Sequence, residues 1–158
     1  YMTKDLYEAG DGQWLFPYPP QDEAMPLGEG RVYGEDADDL VIFTYGNGVP
    51  MSLRAARTIE GRHGWKVRVV DLRWLVPLNH AAIAKHAGEC DRILVVDEGR
   101  FSAGIGEGVI TAITEAGFGG KPIRRVVGAD TYTPLAGAAF LVIPKDEDIV
   151  AAADALAG

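Results

Sequence analysis

From Leu40 onward, short apolar runs alternate with stretches of helical period, and this alternation restricts the chain to one fold class. The runs cover residues 40–45, 67–72, 93–96 and 123–127, are rich in β-branched residues and are apolar at most positions. A strand with one wet face alternates apolar and polar residues, whereas one that is apolar throughout is buried on both faces. Between the runs, Val49, Leu53, Ala56 and Ile59 recur at helical spacing, as do Ala82, Ile83 and His86. Ile105, Val109, Ala112, Ile113 and Ala116 mark a third helix stopped at Gly117, and Ile149, Ala152, Ala153 and Leu156 a closing helix after Pro144. Doubly buried strands separated by helices predict an α/β fold in which a parallel sheet is covered on each face.

Residues 1–39 carry no sustained period and read as an extended arm, leaving 40–158 as the α/β domain. Trp14, Phe16 and Tyr18 sit on a strip stiffened by Pro17, Pro19 and Pro20. Aromatic side chains of this size are expected to pack on this domain or a neighbour, so they are candidate interface residues. Within the arm, residues 31–34 are expected to form a short edge strand. The start, Tyr1-Met2, points to a piece of something longer.

The net charge of −8 disfavours nucleic acid and anionic lipid surfaces. No apolar run approaches the roughly 18 residues that span a bilayer, so no membrane partner is expected. One cysteine, Cys90, allows no internal disulfide, which makes the cytoplasm the default setting.

In open α/β sheets ligands bind beyond the carboxyl ends of the strands. The first such loop, Tyr45-Gly46-Asn47-Gly48, opens a helix, and open helix amides beside Arg73 would hold an anion. After the third strand, Gly104-Ile105-Gly106-Glu107-Gly108 has a superficial likeness to a dinucleotide loop. Val109 stands where its third glycine belongs, and Glu107 would face the pyrophosphate. The glycines are read instead as letting a helix approach the sheet. Cys90 lies between Glu89 and Asp91, whose charges disfavour a thiolate, and His63, His80 and His86 lack metal-ligand spacing and are expected at helix surfaces or ends. Asp71, Arg73, Asp97, Glu98 and Arg100 follow strands and are expected along one charged rim, more as an ion-pair network or partner surface than as an acid–base site. Gly46, Asn47, Gly48, Arg73, Glu98 and Arg100 are therefore the candidate anion or partner contacts. No catalytic, cofactor-binding or metal-ligating residue is assigned.

The ordered series Thr44-Tyr45-Gly46, Val70-Asp71-Leu72-Arg73 with Pro77-Leu78, and Val95-Val96-Asp97-Glu98-Gly99 resembles the transketolase C-terminal domain family. Gly128-Ala129-Asp130-Thr131 with Pro134, then Ile143-Pro144 and a last helix, is similar to the beta chain of the decarboxylating component of 2-oxo acid dehydrogenase complexes. The resemblance implies a three-layer α/β/α unit with a mixed five-stranded sheet whose first strand runs antiparallel. It further implies a parent enzyme whose thiamin diphosphate and magnesium lie in other domains, so that this domain serves subunit assembly and docking of the acyltransferase. Asp146-Glu147-Asp148 would supply charge to a basic partner. Residues 135–139 are small and apolar where the family often has a tyrosine and a glutamate. A fragment of a transketolase or deoxyxylulose-phosphate synthase, and a stand-alone anion-binding regulatory module, are the alternatives.

Overall fold

The computed structural model describes residues 5–15 and 20–158. Five strands, β1 (Arg31–Tyr33), β2 (Leu40–Thr44), β3 (Val67–Asp71), β4 (Arg92–Arg100) and β5 (Ile123–Gly128), form one sheet in the order β1-β3-β2-β4-β5. β1 runs antiparallel to β3 with Arg31 opposite Asp71, and the other pairs are parallel. The mixed sheet and its antiparallel edge strand match the expectation.

Among the described residues three helices connect the strands, α1 (Gly48–His63), α2 (His80–Glu89) and α3 (Ile105–Glu115), and α4 (Asp146–Asp154) follows β5. The even-numbered positions of β2, Leu40 and Ile42, pack with Ile59, Val69, Leu94 and Ile149 beneath α1 and α4. The odd-numbered Val41 and Phe43 pack with Ile83, Ile93, Val109 and Ile113 beneath α2 and α3. Period-two alternation thus feeds two cores, one on each side of the sheet. Each fully buried Leu, Ile or Phe contributes about 1.5–3 kcal/mol of burial. Among the described residues no helix is long and apolar enough to cross a membrane.

Three local expectations need correction. β4 continues to Arg100, so Asp97, Glu98 and Arg100 lie within the strand, where pairing of Asp97 with Val127 and of Arg100 with Gly128 holds the backbone extended across an irregularity. Ala116 is exposed, because α3 ends at Glu115 and Gly117 turns the chain at φ +89°. His86 is buried on α2 rather than exposed, beside an arginine in the middle of β3.

That arginine, Arg68, is 4% exposed. Its guanidinium donates to His86 Nδ1 at 2.9 Å and to the Glu35 carbonyl at 2.7 Å, and it is bonded to Glu89. A buried charge survives only when so partnered, and here it ties the β1–β2 loop, β3 and α2 together. On the opposite layer, Asp146 takes a two-pronged bond from Arg54 at 2.5 and 2.9 Å, and Asp154 meets Arg62 and His63, joining α1 to α4.

The turn at residues 6–13 of the arm is built around Asp11, with Asp5 accepting from the Gly12 amide beside it. Asp11 accepts from the amides of Leu6, Tyr7, Glu8 and Gln13, which hold it well below the usual carboxylate range, Gln13 first. The turn this makes buries Leu6 and sets the Tyr7 ring under Arg57 of α1.

Candidate functional site

The strand order reverses at the parallel pair β2–β4, and the loops leaving those strands flank the crevice where open α/β sheets hold ligands. Here the crevice is filled from within. Asp97, 1% exposed, accepts from the Tyr45 hydroxyl at 2.5 Å, from the Gly99 amide at 2.7 Å and from the Gly106 amide at 2.7 Å. A Cβ added at Gly104 would fall 2.6 Å from Asp97 Oδ2, one at Gly99 2.9 Å from Oδ1, and one at Gly106 3.2 Å from Oδ2. The glycine-rich stretch is thus a cradle for an anion at a helix start, and the anion is the protein's own carboxylate. The expected close approach of helix to sheet is real at Gly106, beside Arg125 of β5, and at Gly48, whose missing side chain makes room for Thr44. Tyr45 is held well above the usual phenol range, by burial first and by Asp97 second.

At the helix start after β2 two amides are used by the turn itself. Gly48 and Val49 donate to the carbonyls of Tyr45 and Gly46, and Pro50 carries no N–H. Of the amides at residues 46–48, that of Gly48 is thus used by the turn itself. Asn47 turns toward Glu98, a half-buried carboxyl raised above its usual range by burial, against the Asn47 hydrogen bond that lowers it. Both line a cavity of about 360 Å3 with Met51 and Phe140.

The charged residues expected along one rim separate into three groups. Asp97 and Glu98 belong to the crevice. Arg100 lies beside Asp130, whose carboxyl is lowered first by the Ser102 hydroxyl at 2.7 Å. Asp71 and Arg73 form the third group at the end of β3, with Asp71 accepting from Arg73 Nε at 3.2 Å. Arg73 is left-handed, φ +54°, a conformation that costs a non-glycine residue about 1–2 kcal/mol. With Arg31, Tyr33, Gly46 and Trp14 the pair surrounds a cleft of about 450 Å3. Of the arm aromatics, Trp14 thus lies at this cleft, while Phe16 and Tyr18 fall outside the described residues. Sequence reading missed Arg31 and Tyr33, although two large side chains two apart on an edge strand must share a face.

Cys90 is buried with its thiol 3.5 Å from the Ala37 carbonyl, and burial, more than the neighbouring carboxylates, pushes its pKa up. His63 bonds Asp154, and His86 bonds Arg68. Among the described residues no three His, Cys, Asp or Glu side chains converge on a metal-sized site. A diphosphate needs a cradle of amides and glycines, and the one at Gly99–Gly106 is taken by Asp97.

The family described as "Transketolase, C-terminal domain" matches residues 28–149. "Pyruvate dehydrogenase E1 component subunit beta" of Staphylococcus aureus is 32% identical over 134 residues, 84% of this chain and 41% of that protein. "3-methyl-2-oxobutanoate dehydrogenase subunit beta" of Mycobacterium tuberculosis is 36% identical over 136 residues, 85% of this chain and 37% of that one. The chain thus spans about two fifths of the length of these curated relatives. The solved structure "Split gene transketolase, inactive beta4 tetramer" superposes with a TM-score of 0.73 at 24% identity, over 87% of this chain and 44% of that one, a likeness of fold. Sheet order, antiparallel edge strand and matched residues agree: the chain belongs to the transketolase C-terminal domain family.

Proposed function

We propose that this chain is the C-terminal, non-catalytic domain of a thiamin-diphosphate-dependent 2-oxo acid dehydrogenase acting on pyruvate or a branched-chain 2-oxo acid. Its work is subunit assembly and docking of the acyltransferase. The two-domain division at residue 39 and a cytoplasmic setting, compatible with the buried thiol of Cys90, belong to the same reading. Thiamin diphosphate and magnesium are held by other domains.

One observation carries the assembly role. The segment after β5, together with the end of β4, leaves Phe101, Tyr132, Leu135, Phe140 and Leu141 between 58% and 90% exposed. Residues 136–141 form a 3-10 turn without a single buried residue. So much large apolar surface in one stretch marks an interface. The small residues at 135–139 depart from the family pattern but leave Leu135 and Phe140 as anchors. The test is sedimentation of the full-length protein carrying Leu135→Asp and Phe140→Asp. Dissociation of its assembly with an unchanged melting temperature of this domain is expected. An unchanged assembly would remove the reading.

A further inference from the structure

β5 ends the sheet on one side: it pairs with β4 and, among the described residues, with no other strand. The N–H and C=O groups of successive strand residues point alternately to the two sides of the strand. The Pro122 carbonyl accepts from the Ile93 amide, so residues 124 and 126 also turn toward β4, and the backbone groups of Ile123, Arg125 and Val127 turn to the open edge. Among the described residues nothing pairs them. The next outward amide, that of Ala129, donates to the Val142 carbonyl at 2.8 Å, so the edge already takes a backbone partner at its end. Alongside runs a groove of about 570 Å3 lined by the five consecutive residues 125–129, with Phe101 and Leu141 among its walls. Side chains of consecutive strand residues alternate between faces, so a groove that touches all five follows the edge of the sheet.

We propose that this edge takes an extended, acidic segment of a partner chain as an added strand. Main-chain bonds to Ile123, Arg125 and Val127 hold the segment, and charge selects it. Arg124 is exposed and, among the described residues, has no carboxylate partner. Arg125 stands 3.7 Å from Glu107, and its Nη1 is buried without a hydrogen-bond partner. Of the residues lining the groove only Asp148 is acidic, and its carboxylate accepts from the Lys145 amide. In a chain of net charge −8 this edge is therefore cationic. A strand laid on it brings its own side chains beside Arg124 and Arg125, where carboxylates attract and cations repel. A second copy is disfavoured on the same ground, because pairing β5 with β5 sets these arginines against their own copies. Phe101 and Leu141, both more than half exposed, offer apolar contact to alternate side chains of the segment. Leu135 and Phe140, the anchors of the assembly role, do not line this groove, so the two roles stand or fall separately.

Fluorescence anisotropy of a labelled peptide of alternating Glu and Val, titrated with the 158-residue chain, tests this. Saturable binding is expected, about tenfold or more tighter than that of the matching Lys and Val peptide. Methylating the peptide amides that face β5 blocks main-chain pairing and leaves the side chains, and should weaken binding about tenfold or more. In the complex, hydrogen exchange at the Ile123, Arg125 and Val127 amides is expected to slow, while the Arg124 and Val126 amides, already turned to β4, stay as they were. Arg124→Ala, at an exposed position, should weaken binding about threefold with an unchanged melting temperature. Absence of saturable binding at millimolar peptide, equal affinity for the Lys and Val peptide, undiminished binding of the methylated peptide, or unchanged exchange at the three outward amides would each overturn the proposal.

Discussion

Two regions at the carboxyl end of the sheet solve opposite problems. Around Asp97 every bond turns inward: a hydroxyl and two amides close on one buried carboxylate, and three glycines make the room. Further along the chain, the stretch at 131–141 turns outward, with Tyr132 at 88% and Leu135 at 90% exposure. The first region spends its chemistry on holding β2, β4 and α3 together. The second leaves its apolar surface to be covered by something else. A glycine-rich helix start is therefore no proof of a cofactor site, and a plain loop of small residues is no proof of idle surface.

The comparison breaks most visibly at its centre. Asp97→Ala strands the Tyr45 hydroxyl and the Gly106 amide in a buried place, and a loss of about 3–5 kcal/mol is expected in chemical denaturation. Gly104→Ala forces a methyl against the carboxylate, with an expected loss of about 1–3 kcal/mol. Combining the two should cost less than their sum, because the methyl then fills space the carboxylate vacated.

A smaller effect comes from pH. Burial first, then Arg68 and Lys85, hold His86 below its ordinary value of 6.5, opposed by Glu89 and Glu35. The unfolded chain therefore binds that proton more readily than the fold, and stability falls as pH drops below about 6.5. Glu89, lowered chiefly by its bond to Arg68, adds a second loss only below its ordinary 4.5. Melting curves of His86→Asn should lack the upper loss and keep the lower. The smallest effect on the fold belongs to the outward region: Leu135→Asp should change the stability of this domain by no more than about 0.5 kcal/mol. A large loss there would mean that the segment is core and not interface.

The layered fold was legible because burial on both faces writes itself into continuous apolar runs such as residues 40–43 and 93–96. The extension of β4 to Arg100 was not, since Asp97 and Glu98 look like the end of a strand; only their pairing with β5 reveals otherwise. Arg68 stood in plain view inside an apolar run, but its partners His86, Glu89 and the Glu35 carbonyl come from three separate stretches. Of the candidate contacts, Gly46 and Arg73 meet at one cleft and Asn47 and Glu98 at another, while Arg100 joins neither. Spacing along the chain cannot separate those groups, because each depends on which strands are neighbours.

The central claim is that this domain's anion cradle is closed by its own Asp97 and that the chemistry of the parent enzyme lies elsewhere. Calorimetric titration of the chain with thiamin diphosphate and magnesium addresses it most directly. No binding is expected; saturable micromolar binding would contradict the account.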